Sequence, residues 1–85
     1  MSDVTTLAGE LCSFIDREVS LDPDTPVEPH TDLLTTGLVD SLGAMEIVHW
    51  LEEARNLDID PVDITIENFQ TVEKMVALAK RLTVG

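Results

Sequence analysis

Pro23, Pro26 and Pro29 stand three residues apart between two stretches whose apolar residues recur with helical spacing. Each proline removes a backbone donor and collides with the preceding turn, so no regular helix runs through them. No other segment alternates apolar and polar residues strictly enough to argue for a strand. The chain is thereby restricted to helices, the first two joined by a long irregular connection over residues 20–39. A loop of that length is unusual in a small domain and is often functional.

The first helical stretch runs from about Asp3 to Val19. Val4, Leu7, Ala8, Leu11, Phe14, Ile15 and Val19 form its apolar stripe, and Ser2, Asp3 or Thr5 is placed to cap it. Glu18 falls on the same stripe, near enough to the end to reach solvent. Leu33, Leu34 and Leu38 are expected to pin the long connection onto the core. His30 reads as a solvated loop histidine, because no metal-ligand spacing surrounds it. A second helix follows Asp40, a favoured N-cap, and runs to about Arg55, with Asn56 as its stop. Asp60–Pro61 marks a turn, and a short helical turn follows near Thr65–Phe69. The last helix begins after Thr71, with Val72, Met75, Val76, Ala79 and Leu82 as its inner stripe. Lys74, Lys80 and Arg81 lie outside that stripe, the latter two where cations complement the helix dipole. The expected fold is all-α: a four-helix bundle with a long loop between helices 1 and 2 and a short helix 3. It forms a single domain over residues 1–85.

Charge narrows the function. Seventeen acidic residues against five basic ones give a net charge of −12. Phosphate contacts require lysine and arginine, so nucleic acid is disfavoured, as are anionic membrane surfaces. The charge suits partners with basic docking surfaces, although it also serves plain solubility. With 85 residues the core is modest, and a chain of this size rarely encloses an enzyme pocket alone. Cys12 is the one cysteine, so an intrachain disulfide is excluded. It reads as a small buried hydrophobe, with no neighbouring cation in sequence to activate its thiol. The start, MSDVTTLAGEL, lacks the features of a signal peptide, and no apolar run is long enough to span a bilayer. A cytoplasmic location is expected.

Helix 2 has the most informative surface. At about 100° per residue, Ala44, Ile47, Val48, Leu51 and Ala54 share the core side. Leu42, Met45, His49 and Glu52 lie opposite, flanked by Glu46 and Glu53. This makes Leu42 and Met45 exposed apolar residues in an acidic field: either a transient docking site or the incidental surface hydrophobes that proteins normally carry. Trp50 stands about 60° from the core centre. It is expected to pack at the boundary, with the long loop as a candidate neighbour and its indole N–H on a partner. His49 reads as a surface contact rather than a ligand or base. Gly43 costs about 1 kcal/mol relative to alanine inside a helix, and leaves room for a close approach beside Ser41.

The segment that carries chemistry is Asp32-Leu33-Leu34-Thr35-Thr36-Gly37-Leu38-Val39-Asp40-Ser41-Leu42. The loop delivers Ser41 to the first turn of a helix, where free N–H groups and the positive dipole end favour a phosphate. Asp40 caps the helix and stands where it could help a metal-dependent modifying enzyme engage the serine. No G-x-S-x-G elbow is present, and neither His30 nor His49 is placed to act as a base. Ser41 thus reads as an accessible hydroxyl suited to modification, or as a second capping residue. Asp58 and Asp60 offer only a fragment of a calcium loop, without its glycine and terminal glutamate.

In this context the sequence resembles the acyl carrier protein family of phosphopantetheine-binding domains. The resemblance is carried by Asp40-Ser41-Leu42, by Gly37-Leu38-Val39 before it, by Leu51-Glu52-Glu53 and by Thr71-Val72, and it spans nearly the whole chain. It implies that Ser41 receives 4′-phosphopantetheine from coenzyme A through a phosphopantetheinyl transferase. The thiol of that arm then holds an acyl or aminoacyl group as a thioester. It implies a non-catalytic carrier, which as a shuttle is best served by a monomeric state. Combined with the helical wheel, it implies a recognition surface of Asp40, Leu42, Met45, Glu46, His49, Glu52 and Glu53 for the transferase and for loading and processing enzymes. The Gly-Gly-His/Asp-Ser-Leu signature usual in modular peptide synthetases is missing, since Val39 and Asp40 precede Ser41. A free-standing carrier is the better match. Gly43 replaces an acidic residue common in housekeeping fatty-acid carriers. The stretch Ile66-Glu67-Asn68-Phe69 is closer to discrete carriers of specialised pathways, such as those of alkoxymalonyl-type extender units, and to D-alanyl carriers. Polyketide or non-ribosomal secondary metabolism is therefore expected. The competing reading is an acidic helical interaction module that carries no covalent cofactor.

Overall fold

Leu7, Leu11, Ile15 and Val19 are spaced four residues apart, slightly more than the 3.6 of an α-helix. Continued as an α-helix, that spacing would rotate Val19 about 120° away from Leu7. A computed structural model, describing residues 6–22 and 24–84, resolves the mismatch within the helix. Helix α1 is α-helical over Thr6–Phe14 and widens into a π turn over Ile15–Val19. The turn is closed by Ser20 N–H donating to Ile15 O at 2.7 Å. The wider turn reverses the drift, and all four residues are buried. The sequence reading of one continuous α-helix to Val19 is corrected accordingly. Its capping residues Ser2, Asp3 and Thr5, like Val4 and Pro23, lie outside the described residues.

The long connection is fastened at several points. Val27, Leu33, Leu38 and Val39 are buried and Leu34 is half-buried. Leu21 N–H donates to Leu38 O (2.9 Å), Leu33 N–H to Gln70 O (2.8 Å) and Glu73 N–H to Pro29 O (2.9 Å). Asp32 organises the middle of the loop. Its Oδ1 accepts from Thr35 N–H at 3.0 Å, and its Oδ2 accepts from the Thr35 hydroxyl and from Gln70 Nε2, the latter at 2.9 Å. These bonds hold the Asp32 carboxyl below its ordinary range, the Thr35 hydroxyl contributing most and the Gln70 amide next. Gly37 has φ +81°, where a side chain would be strained, and turns the loop towards the second helix.

Helix α2 covers Ser41–Arg55 and stops at Asn56, which adopts the left-handed conformation (φ 55°, ψ 50°). A 3₁₀ turn over Pro61–Asp63 follows, capped by the Asp60 carboxylate, which accepts from Val62 N–H at 3.1 Å. Thr65 caps the short helix α3, Ile66–Phe69, accepting from Asn68 N–H at 3.1 Å. Helix α4 covers Val72–Val84, with Thr71 Oγ1 accepting from Lys74 N–H at 3.2 Å. No strand occurs among the described residues. The result is the expected four-helix arrangement with a long first connection and a minor third helix. Its core is built from Leu11, Ile15, Leu33, Ile47, Leu51, Phe69, Val72, Met75 and Leu78, each at most 2 % exposed. In the core, Ala54 and Leu78 depart from the helical wheels. Ala54 is exposed rather than in the core, because α2 ends beyond the reach of its neighbours. Leu78, outside the expected stripe of α4, is fully buried, because both α1 and α3 pack on that helix.

Candidate functional site

The mouth of α2 is built by three consecutive residues with different tasks. Val39 is buried and anchors the end of the loop. Asp40 leaves the helical conformation (φ −96°, ψ −175°), and its Oδ1 accepts from Gly43 N–H at 2.8 Å. Ser41 is then the first helical residue and is exposed. Its hydroxyl therefore sits at the positive end of a fifteen-residue helix, on a backbone held by a cap behind it and a buried anchor before that.

Gly43 sets how closely this mouth can lie on α1. A Cβ there would stand 2.7 Å from Val19 Cγ1 and 3.1 Å from Val39 Cγ1. The room expected beside Ser41 is thus filled by the protein's own valines and is not open to a partner. The π turn that brings Val19 inward and the glycine that accommodates it are two parts of one contact.

Beyond Ser41, the outer side of α2 carries Leu42 and Met45, exposed by 69 % and 52 %, with Glu46, His49 and Glu53 exposed beside them. Glu52 departs from this group. It is half-buried, and its Oε2 accepts from Ile59 N–H at 2.9 Å, which ties the end of α2 to the chain leading into the 3₁₀ turn. Its carboxylate, expected on the recognition surface, thus also takes part in the fold. Trp50 also finds a different neighbour. It stacks on Phe14 of α1, with ring centroids 5.5 Å apart and planes 19° apart, rather than on the long loop. Val62 and Ile66, exposed by 72 % and 64 %, add apolar surface around α3 that the sequence reading did not single out. A four-residue helix is too short for periodicity to show which of its residues face outwards.

The remaining candidates for chemistry lie elsewhere. His49 follows Ser41 by eight residues, about 12 Å along the helix axis, out of hydrogen-bond reach of the hydroxyl. His30 is exposed in the loop, with Nε2 3.3 Å from Glu28 Oε1. Cys12 is half-buried on α1, and its thiol is pushed up by burial first and then by Asp16 and Glu28. That is the opposite of what an activated thiol requires. Among the described residues no three His, Cys, Asp or Glu side chains gather to hold a metal, and no helix is long and apolar enough to cross a membrane.

Residues 5–79 match the family described as the phosphopantetheine attachment site. The match covers most of the chain, which belongs to this family of carrier domains. It is a phosphopantetheine-carrying carrier protein of the acyl-carrier fold. Its family holds 4′-phosphopantetheine covalently, and its members are generally non-catalytic and work with phosphopantetheinyl transferases and acyl-processing enzymes. No curated protein matches the chain.

Proposed function

We propose that Ser41 is the residue that carries the 4′-phosphopantetheine. The observation that supports this most directly is its position: an exposed hydroxyl at the first residue of α2, behind the Asp40 cap. The site fits a phosphodiester. Its added charge would lie beside the Asp40 carboxylate, an unfavourable pairing, but also at the free N–H groups of the first turn, which offset that repulsion. The group, when bound, supplies a thiol that holds cargo as a thioester. The chain's own residues orient the attachment point and present it to partners. On this reading Asp40, Leu42, Met45, Glu46, His49 and Glu53 form the surface that the transferase and the loading and processing enzymes engage. The apolar pair supplies contact and the carboxylates supply approach and register.

The protein acts as a free-standing, monomeric carrier in the cytoplasm, serving polyketide or non-ribosomal secondary metabolism. The free-standing assignment is supported by Val39-Asp40 in place of the peptide-synthetase signature. The pathway class is supported by Gly43 and by the Ile66–Phe69 stretch. Incubation with coenzyme A and a phosphopantetheinyl transferase tests the attachment point. Intact-mass analysis should show the gain of one phosphopantetheine, and peptide mapping should place it on Ser41. Ser41→Ala should show no gain. An unchanged wild-type mass, or a label on another residue, would refute the assignment.

A further inference from the structure

Among the described residues, four of the large apolar side chains left exposed, Leu42, Met45, Val62 and Ile66, belong to α2 or to the surface around α3. Leu21 is different. It is 60 % exposed at the start of the long connection, and docking along α2 does not account for it. It borders an open groove of about 400 Å³ formed by the two ends of that connection. Leu21 and Leu38 give the groove apolar walls, joined where Leu21 N–H donates to Leu38 O at 2.9 Å. Between them stand hydroxyl groups. Thr25 donates to Asp22 Oδ2 at 2.8 Å and Thr36 to Asp32 O at 2.6 Å, which leaves lone pairs on both hydroxyl oxygens. Thr31 Oγ1 accepts from Glu28 N–H at 3.0 Å and, among the described residues, donates to no acceptor, so its O–H is a spare donor. Gly37 lies at the end nearer α2, where a Cβ would meet nothing within 4 Å.

We propose that this groove is the resting site of the 4′-phosphopantetheine arm, an inference that rests on the arm's attachment to Ser41. Reach is sufficient. Gly37 and Leu38 precede Ser41 by four and three residues, so they lie within about 14 Å and 11 Å of it. From phosphorus to sulfur the arm adds about thirteen chain atoms, a little over four residues of backbone, and so spans about 14 Å extended. It can enter the groove from the Gly37 end without any movement of Ser41. The chemistry also matches. Beyond its phosphate the arm is neutral and carries two amide N–H groups, two carbonyls, a hydroxyl and a pair of methyls. The Thr25 and Thr36 oxygens can accept from N–H groups, the Thr31 hydroxyl can donate to a carbonyl, and Leu21 can cover the methyls. Other occupants fit less well. An alkyl chain would desolvate Asp22 and Asp32 without pairing them. A cationic side chain would meet carboxylates that already accept hydrogen bonds, Asp22 from Asp24 N–H and Thr25, Asp32 from Thr35 and Gln70, and could not use the Thr31 donor. The same bonds fix the walls before the arm arrives, so docking orders little of the protein. The thiol then waits against the long connection until a partner draws the arm into its own site.

The test loads the full, isotope-labelled chain from unlabelled coenzyme A with a phosphopantetheinyl transferase and compares it with the unloaded chain by NMR. Intact mass and peptide mapping first establish that Ser41 is loaded. Amide shifts should then change at Leu21, Thr25, Thr31 and Gly37 as well as beside Ser41. Isotope-filtered NOEs should join the arm's methyl and methylene protons to Leu21, Thr25 and Thr31. Leu21→Ala/Thr31→Val removes the exposed apolar wall and the spare donor. Loss of the hydrogen bond alone should lower the ratio of docked to free arm about two- to tenfold, read as smaller loading shifts at Thr25 and Gly37. Should that variant misfold, Leu21→Ala alone changes one exposed side chain and should still weaken the NOEs. A Ser41-loaded chain whose shifts stop within the first turn of α2, or whose arm contacts Leu42, Met45 or Ile66 instead, would overturn the proposal and leave the attachment reading intact. Shifts that survive both variants unchanged would also overturn it. A chain that takes up no phosphopantetheine would overturn both readings together.

Discussion

A methyl group on Gly43 would come within 2.7 Å of Val19 and 3.1 Å of Val39, and both are β-branched side chains with little rotamer freedom. Alanine would gain about 1 kcal/mol of helix propensity there, but overpacking of this kind costs about 1–3 kcal/mol. Gly43→Ala is therefore expected to destabilise the protein by up to about 2 kcal/mol, read as a lower midpoint in urea unfolding. In a Val19→Ala background the same change should become neutral or favourable, because the clashing atom is gone. A stabilising Gly43→Ala in the wild-type background would refute the contact. Asp32 allows a second test at this scale. Its folded carboxyl is held below its unfolded value of about 3.9. A depressed carboxyl contributes stability that is fully present above the unfolded value and is lost as pH falls through the lower, folded value. Melting temperatures of wild type and Asp32→Asn should thus differ most above the unfolded value and converge as pH falls through the lower, folded one. A gap that stayed constant down to pH 2 would show that the carboxylate's charge has no part in holding the loop.

The elements themselves were largely written in local chemistry. Asp40 and Thr71 each cap the helix expected to follow them, Thr65 caps the short helix in which it was expected to lie, and Asn56 ends α2 where its type suggested. Exposed Ser41, Leu42 and Met45 likewise followed from a cap and a helical period. What periodicity does not report is which element covers a face. Trp50 was legible as a boundary residue, but Phe14 as its partner depends on the packing of α1 against α2. The π turn was present as a run of four-residue spacings, yet an α-helix fits such a run almost as well until Val19 must meet Gly43. Glu52 is the clearest case. On the helical wheel it faces away from the core, but the chain doubles back after Asn56 and brings Ile59 N–H to its carboxylate. Removing that acceptor leaves a part-buried N–H unsatisfied, so Glu52→Ala is expected to cost about 1–3 kcal/mol. Glu52→Gln, which keeps an oxygen there, should cost less. If Glu52→Ala leaves the unfolding midpoint unchanged while weakening transfer onto Ser41, its role is in docking and not in the fold.

At the scale of the whole molecule, the charge is unevenly distributed. No lysine or arginine occurs between Arg17 and Arg55, the stretch that contains Asp40, Ser41 and the outer surface of α2. Three of the five basic residues, Lys74, Lys80 and Arg81, are on α4. On the proposed reading, a partner with a basic surface meets a field that both attracts it and turns it towards Ser41. Such steering raises encounter rates by about 10- to 1000-fold at low salt and is screened over a Debye length of about 10 Å at 0.1 M. The same crowding of carboxylates opposes folding, so added salt should act in two directions at once. Between about 0.02 and 0.5 M sodium chloride, kcat/KM for phosphopantetheine transfer onto Ser41 should fall about tenfold or more, while the melting temperature rises. Glu46→Lys/Glu53→Lys should lower kcat/KM at low salt and flatten its salt dependence. Lys74→Glu/Lys80→Glu, on α4, should change it by no more than about twofold, although it makes the net charge more negative. If both pairs shift the rate in proportion to net charge alone, the local arrangement around α2 has no orienting effect, and only total charge governs the encounter.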